Sequence, residues 1–278
     1  MTHYSTLHIH TDSGIQTILL NRPEKRNSLT HQLIDDLTQA LEAAGTNPQC
    51  RVVIITGAGS AFCAGLDMEH LREMSEGSPS DPRFAADCQA DAENIAGLLR
   101  TLYSLPKPTI AAVNGAAIAG GMGIATLCDF TLSVPEAKFG YTEVRIGFVP
   151  AIVSAYLRTQ IGDKRSRDLL LTGRLLRAVE AVDLGLVTRI VPEAELMHEA
   201  RALAQKLLRN SPSAMEATKR LLTRFSDRTL PDDVEKAVLA NVQARTTEDF
   251  REGVRAFLEK RDPQWPSLEA TKETAGRR

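Results

Sequence analysis

The segment from Val113 to Phe130, VNGAAIAGGMGIATLCDF, limits what this chain can become more than any other, with four glycines and no charge before Asp129. With TIAAV in front it forms a charge-free run from Thr109 to Cys128, twenty residues long, the length of a membrane span. Its content argues against one. Glycine, alanine, threonine and an asparagine dominate, Pro106 and Pro108 precede the run, and Asn114-Gly115 is a turn signal. A dinucleotide loop fails on spacing, because neither Gly57, Gly59, Gly65 nor Gly115, Gly120, Gly121, Gly123 completes a G-x-G-x-x-G, and no G-K-[ST] exists for a P-loop. The third reading is a strand (TIAAV), a turn (NGAAIAG) and a helix from near Gly120 to about Leu127. The first turn of such a helix carries N–H groups without internal acceptors at the positive end of its dipole. Glycines there admit a ligand to the backbone, which suits a developing negative oxygen. Alternatively, the glycines serve only tight helix–strand packing.

A second segment, ITGAGSAFCAGLDMEHL (Ile54 to Leu71), repeats the pattern: a buried strand, a glycine-rich turn, and a helical period beginning near Leu66. Two strand-turn-helix units can aim two backbone N–H groups at one point, as an oxyanion hole requires. The short, uncharged and largely apolar runs VVIIT (Val52 to Thr56), TIAAV and FTLSV (Phe130 to Val134) read as strands buried on both faces, and strands alternating with helices imply an α/β core. Leu7 to His10 and Ile15 to Leu20 read as a hairpin around TDSG. Thr30 is a helix N-cap, with Gly45 closing that helix, and EMSEGSPSDPR (Glu73 to Arg83) reads as a mobile surface loop. Beyond Pro192 every period is helical: Glu193 to Arg209, Ala214 to Phe225, Asp232 to Arg245 and Thr247 to Lys260, then a polar tail after Pro263 that is expected to fray. The expected organisation is an α/β body over residues 1–192 and a helical region over 193–278.

Charge excludes some partners. The formal net charge is −2 with no long Lys/Arg run, so no nucleic-acid footprint is expected. Four cysteines without C-x-x-C spacing and six scattered histidines suggest no structural metal and a reducing compartment. MTHYSTLHIH lacks the marks of a signal peptide, so a cytoplasmic protein is expected, with no membrane association.

Several ordered motifs resemble the crotonase, or enoyl-CoA hydratase/isomerase, superfamily: LNRPEKRNSL (Leu20 to Leu29), AFCAGLDM (Ala61 to Met68), KPTIAAVNGAAIAGG (Lys107 to Gly121), CDF (Cys128 to Phe130), AKFGYTEVRIGFVP (Ala137 to Pro150) and TEDFREGVRAFLEKRDPQW (Thr247 to Trp265). The resemblance implies a spiral α/β core of ββα turns with a C-terminal helical trimerisation region, assembling as a homotrimer or a hexamer. It implies an acyl-CoA thioester substrate and an enolate intermediate, with no cofactor and no metal. Carried over residue by residue, the oxyanion donors would be the N–H groups of Ala64 and Gly120. Backbone of Ala64, Gly65, Leu66 and Asp67 would meet CoA, and Lys25 and Arg26 would meet its phosphates.

Hydratases of that family place two glutamates about the double bond. Here the first position is Gly123, which cannot move a proton, and the second is Glu143. One carboxylate suits an isomerase, which takes a proton and returns it two carbons away, or an atypical hydratase. A hydroxycinnamoyl-CoA-type hydratase-lyase and a catalytically inactive acyl-CoA-binding scaffold are the alternatives. Asp67, Glu69 or Glu73 could replace the missing acid. Ala151-Ile152 stands after Pro150 where the family often has two glycines, so a standard short-chain pocket is not expected.

Overall fold

The computed structural model describes residues 4–78, 80–226 and 229–268. The chain enters through the expected hairpin, β1 (Leu7–Asp12) against β2 (Ile15–Leu20), with Ser13 and Gly14 at positive φ in the turn. A 3-10 turn (Pro23–Lys25) leads to α1 (His31–Thr46), where the Thr30 hydroxyl accepts the Leu33 N–H as an N-cap. Gly45 does not end this helix. It lies within α1, which closes at Asn47.

Three similar units follow. The first is β3 (Val52–Gly57), β4 (Ala61–Cys63), α2 (Met68–Glu76) and the long α3 (Pro82–Ser104). The second is β5 (Thr109–Val113), β6 (Ala116–Ile118) and α4 (Gly120–Leu127). The third is β7 (Phe130–Ser133), β8 (Lys138–Gly140), a 3-10 turn (Glu143–Ile146) and α5 (Ala151–Thr172). Each unit lays one strand into a six-stranded sheet ordered β1-β2-β3-β5-β7-β10 and one into a four-stranded sheet ordered β4-β6-β8-β9, where β9 is Leu176–Arg177 and β10 is Arg189–Ile190. Pairing is parallel throughout except β1–β2 and β8–β9. This is the spiral α/β architecture. β3 is buried along its whole length, as its unbroken apolar run requires of a strand covered on both faces.

α6 (Ala178–Asp183) lies between β9 and β10, and α7 (Leu196–Leu208), α8 (Pro212–Ser226), α9 (Leu230–Arg245) and α10 (Glu248–Glu259) complete the chain. α7 packs on β3 and β5, α9 on α3 and α5, and α10 on α2 and the 3-10 turn that begins at Glu143. The stretch from Glu73 to Arg83 is not one loop: α2 runs through Glu76 and α3 starts at Pro82, capped by Asp81. Residues 269–278 of the polar tail lie outside the described residues, and the part before them is tied down where Ser267 Oγ donates to Asp249 (2.8 Å). Among the described residues no helix is long and apolar enough to cross a membrane.

The contact of α10 with the Glu143 turn is close enough to test. A Cβ on Gly253 would stand 2.3 Å from the Ile146 backbone, and nearby Phe148 and Phe250 pack with ring centroids 5.2 Å apart. Gly253→Ala is expected to destabilise the protein by about 1–3 kcal/mol, the usual cost of overpacking. Thermal or urea unfolding measures it, and an unchanged midpoint would show that α10 can move away freely.

Candidate active site

The two glycine-rich turns converge because β4 and β6 are parallel neighbours in the smaller sheet. A Cβ on Gly65 would lie 3.0 Å from the Ile118 carbonyl oxygen and from the Ala119 Cβ, so the segments after these strands touch. The four glycines of the second turn divide by function. Added Cβ atoms on Gly115 and Gly121 would collide with backbone, 2.2 Å from the Ser60 oxygen and 2.3 Å from the Cys63 oxygen, so these two serve packing. A Cβ on Gly120 would meet only the end of the Leu29 side chain, at 2.8 Å. Gly120 is the first residue of α4, its N–H has no intrahelical acceptor, and it lines a cavity of about 510 Å³.

Ala64 also lines this cavity, but its N–H already donates to the Arg26 carbonyl (3.1 Å). It is therefore not a free oxyanion donor, which corrects the sequence expectation. The free group is two residues on. Leu29 bridges the segment in parallel fashion, donating to the Gly65 oxygen (2.7 Å) and accepting from the Asp67 N–H (3.0 Å). A strand residue flanked by two such bonds turns its own N–H to the opposite side. Among the described residues no backbone group accepts the Leu66 N–H, and Leu66 lines the cavity with Gly120.

Glu143 enters the same cavity from the 3-10 turn after β8. Its Oε2 is sealed from solvent and has no hydrogen-bond partner. Burial raises the carboxyl to about 7, opposed only by its own backbone N–H. A carboxyl so placed exchanges protons near neutrality, where a general acid or base works best.

Among the described residues no second carboxylate lines the cavity. Asp67 is buried as the N-cap of α2, accepting from Ser28 Oγ (2.6 Å) and the Glu69 N–H (3.1 Å) and pairing with Arg22 (3.3 Å). Burial works to raise its carboxyl, yet those partners hold it below the ordinary value, so it is an ionised structural cap. Glu69 pairs with Lys25 at the surface (3.3 Å), and Glu73 lines a separate cleft. Lys25 and Arg26 are exposed on the turn beside Ala64 and Asp67 and do not line the cavity. Gly65, at φ +86°, makes the bend that presents Leu66. Gly123 is buried beneath Val153, whose Cγ1 would stand 3.1 Å from an added Cβ, so a valine occupies the room that a carboxylate would need.

The remaining wall is mostly apolar: Met68, Leu71, Ile95, Phe148, Ile152 and Leu175 among others, with Ala151 and Ile152 at the start of α5 filling part of the space. Sequence reasoning missed Asn241, which also lines it. A signal existed. Asn241 stands on the inward stripe of α9 (Val234, Val238, Ala244), where a polar residue needs a reason.

The enoyl-CoA hydratase/isomerase family model matches residues 10–268. A relative from Thermus thermophilus, provisionally named an enoyl-CoA hydratase, is 43% identical over 252 residues, covering 90% of this chain and 97% of its own. The (E)-benzylidenesuccinyl-CoA hydratase of Thauera aromatica is 34% identical, covering 92% and 96%. The crystal structure of an enoyl-CoA hydratase/isomerase from Xanthobacter autotrophicus superposes with a TM-score of 0.84 at 28% identity, covering 94% of this chain and 98% of that one. Fold, motif order and relatives agree: the chain belongs to the enoyl-CoA hydratase/isomerase family of crotonase-like proteins.

Proposed function

We propose that this protein is an enzyme that moves a proton on an unsaturated acyl-CoA thioester, through an enolate held by the Leu66 and Gly120 N–H groups, with Glu143 as the sole proton carrier. The observation that carries this reading is the Glu143 carboxyl, its Oε2 without a partner and its pKa raised to about 7, in one cavity with two unengaged N–H groups. The thioester oxygen gains negative charge when a proton leaves the adjacent carbon, and each donor aimed at it contributes about 2.7–4 kcal/mol to the transition state. Glu143 then returns the proton two carbons along, shifting a double bond from C3 to C2. Hydration by a single carboxyl is the second reading, favoured by the names of the relatives. There Glu143 activates water and relays its proton to C2. Lys25 and Arg26, beside the Ala64–Asp67 segment, are read as contacts for CoA phosphates. The exposed apolar stripe Leu221, Leu222 and Phe225 on α8 is read as a subunit contact of the family's trimer.

Glu143→Gln is expected to lower turnover of 3-enoyl-CoA and 2-enoyl-CoA by about 10²–10⁴-fold with the fold intact. Turnover that survives the substitution overturns the mechanism. In the wild type kcat/KM should rise as pH passes about 7 and then level, since the base must be ionised. Stability should run the other way. The folded state holds this proton above the ordinary carboxylate value, so the group's contribution falls as pH rises from about 4.5 through about 7. The melting-temperature advantage of Glu143→Gln should therefore widen over that window and stay constant above it.

Restoring the second acid tests the one-carboxylate reading. Gly123→Glu alone meets Val153, whereas Gly123→Glu with Val153→Ala makes room for the carboxyl. The double variant should raise hydration relative to isomerisation, measured on matched 2-enoyl and 3-enoyl substrates. Phe225→Glu should shift the sedimentation of the oligomer toward smaller species if α8 forms the contact.

A further inference from the structure

Among the described residues the cavity wall holds three polar side chains that this chemistry does not use, Thr142, Arg145 and Asn241, and of these Asn241 alone is buried. Asn241 is 4% exposed, and its Oδ1 accepts from Arg245 Nε (3.0 Å). Arg245 can only donate, so the amide end facing away is the nitrogen. Among the described residues nothing accepts from that nitrogen, and it is not one of the sealed, unpartnered atoms, so it opens on the cavity that Asn241 lines.

The side chain is held firmly. Arg245 is 0% exposed and pairs through Nη2 with Asp91 Oδ2 (2.5 Å), while its guanidinium lies 5.3 Å from the centre of the Phe148 ring. Asp91 Oδ1 is met by His31 Nε2 (2.8 Å) and His70 Nε2 (2.9 Å). Burial works to raise the Asp91 carboxyl, but His70 and Arg245 hold it at about 2. Two imidazoles and a carboxylate this close resemble a metal-ligand set. The buried guanidinium on the same carboxylate opposes a second cation there, and the cluster acts as a buttress for Arg245. Four helices, α1, α2, α3 and α9, thus converge to fix one amide at the wall of an apolar cavity.

A buried ion pair of this kind is costly to desolvate, and an amide aimed into apolar space is costly unless its occupant supplies an acceptor. We propose that Asn241 is a specificity residue, and that the acyl group of the natural substrate carries a neutral oxygen, keto or hydroxyl, that accepts from the Asn241 amide. A neutral oxygen fits what this wall presents: Arg245 is engaged by Asp91 behind Asn241, so the group at the cavity is a neutral amide. Arg145, the one cation lining the cavity among the described residues, is exposed and sits on the Glu143 turn rather than on α9. This inference rests on the acyl-thioester reading and needs no turnover to test.

The test is calorimetric binding of saturated, unreactive acyl-CoA esters: one plain chain, and the same chain bearing a keto or a hydroxyl group at successive carbons. The wild type should bind at least one ketone and one alcohol roughly tenfold to a hundredfold more tightly than the plain chain, the range for satisfying a donor that is otherwise left unpaired. Asn241→Leu should erase that preference, with its melting temperature recorded as a fold control. Asn241→Asp accepts but does not donate, so it should keep a preference for an alcohol and lose the one for a ketone. Equal binding of plain and oxygenated chains by the wild type overturns the proposal, as does a parallel weakening of all ligands in Asn241→Leu. Failure to bind any CoA ester overturns the acyl-thioester reading itself, and is distinct from either result.

Discussion

Everything in this fold depends on how the chain leaves one sheet for the other without stranding its backbone. At residues 57–61 and again at 113–116 it turns out of the six-stranded sheet into the four-stranded one, and ladder pairing stops for a few residues. At the first of these turns two asparagine side chains take its place. Asn114 accepts from the Gly57 N–H (3.1 Å) and donates to the Gly59 carbonyl (2.9 Å). Asn27, fully buried at φ 55°, accepts from the Arg22 N–H (2.9 Å) and donates to the carbonyls of Ala58 (2.9 Å) and Ala61 (2.8 Å). The Gly57 and Ala61 groups are buried, and each left without a partner would cost about 1–3 kcal/mol, so the first corner is not one that apolar side chains at these two positions would support. With the corners set, β4 and β6 run parallel, and the segments that follow them must lie side by side. The convergence of Leu66 and Gly120 is thus a consequence of sheet switching rather than a separate feature.

The same apolar enclosure acts on both parts of the site. It strips solvent from Glu143 and raises its carboxyl, and it leaves the Leu66 and Gly120 N–H groups in a medium where a hydrogen bond to an anion is strong. Neither effect needs a charged side chain, and the glycine-rich segment carries none before Asp129. The Glu143 turn is in turn held by α10, whose Gly253 rests on the Ile146 backbone. The C-terminal helices therefore bear on where the Glu143 carboxyl sits, although they contribute neither the carboxyl nor the N–H groups.

Long buried runs were legible in the sequence: β3 and β5 as uncharged, largely apolar strands, α4 between Gly120 and Leu127, and the Thr30 cap all stand where pattern and capping chemistry place them. The smaller sheet was not, because strands such as Ala61–Cys63 and Ala116–Ile118 are too short to show alternation and are read as parts of turns. Ala64 shows the limit most clearly. Residue types identify a donor loop, but the direction of each N–H depends on a partner far away in sequence. Here that partner is Leu29, and the Arg26 carbonyl takes the Ala64 N–H. Glycine is equally ambiguous in sequence. Gly115 and Gly121 answer to packing and Gly120 to the cavity, and only what a Cβ would strike separates them.

Gly123 gains a fuller meaning from its surroundings. A missing glutamate could have left a water-filled gap, with solvent standing in for the acid. Instead Val153 and Leu99 close over the glycine, and that part of the wall is apolar. A proton from water on that side would have to cross a region that solvates ions poorly. On the mechanism proposed above, proton traffic is confined to the side that Glu143 occupies. A single carboxyl that both takes and returns the proton is compatible with such a wall, and a two-carboxylate division of labour would require the wall to be rebuilt.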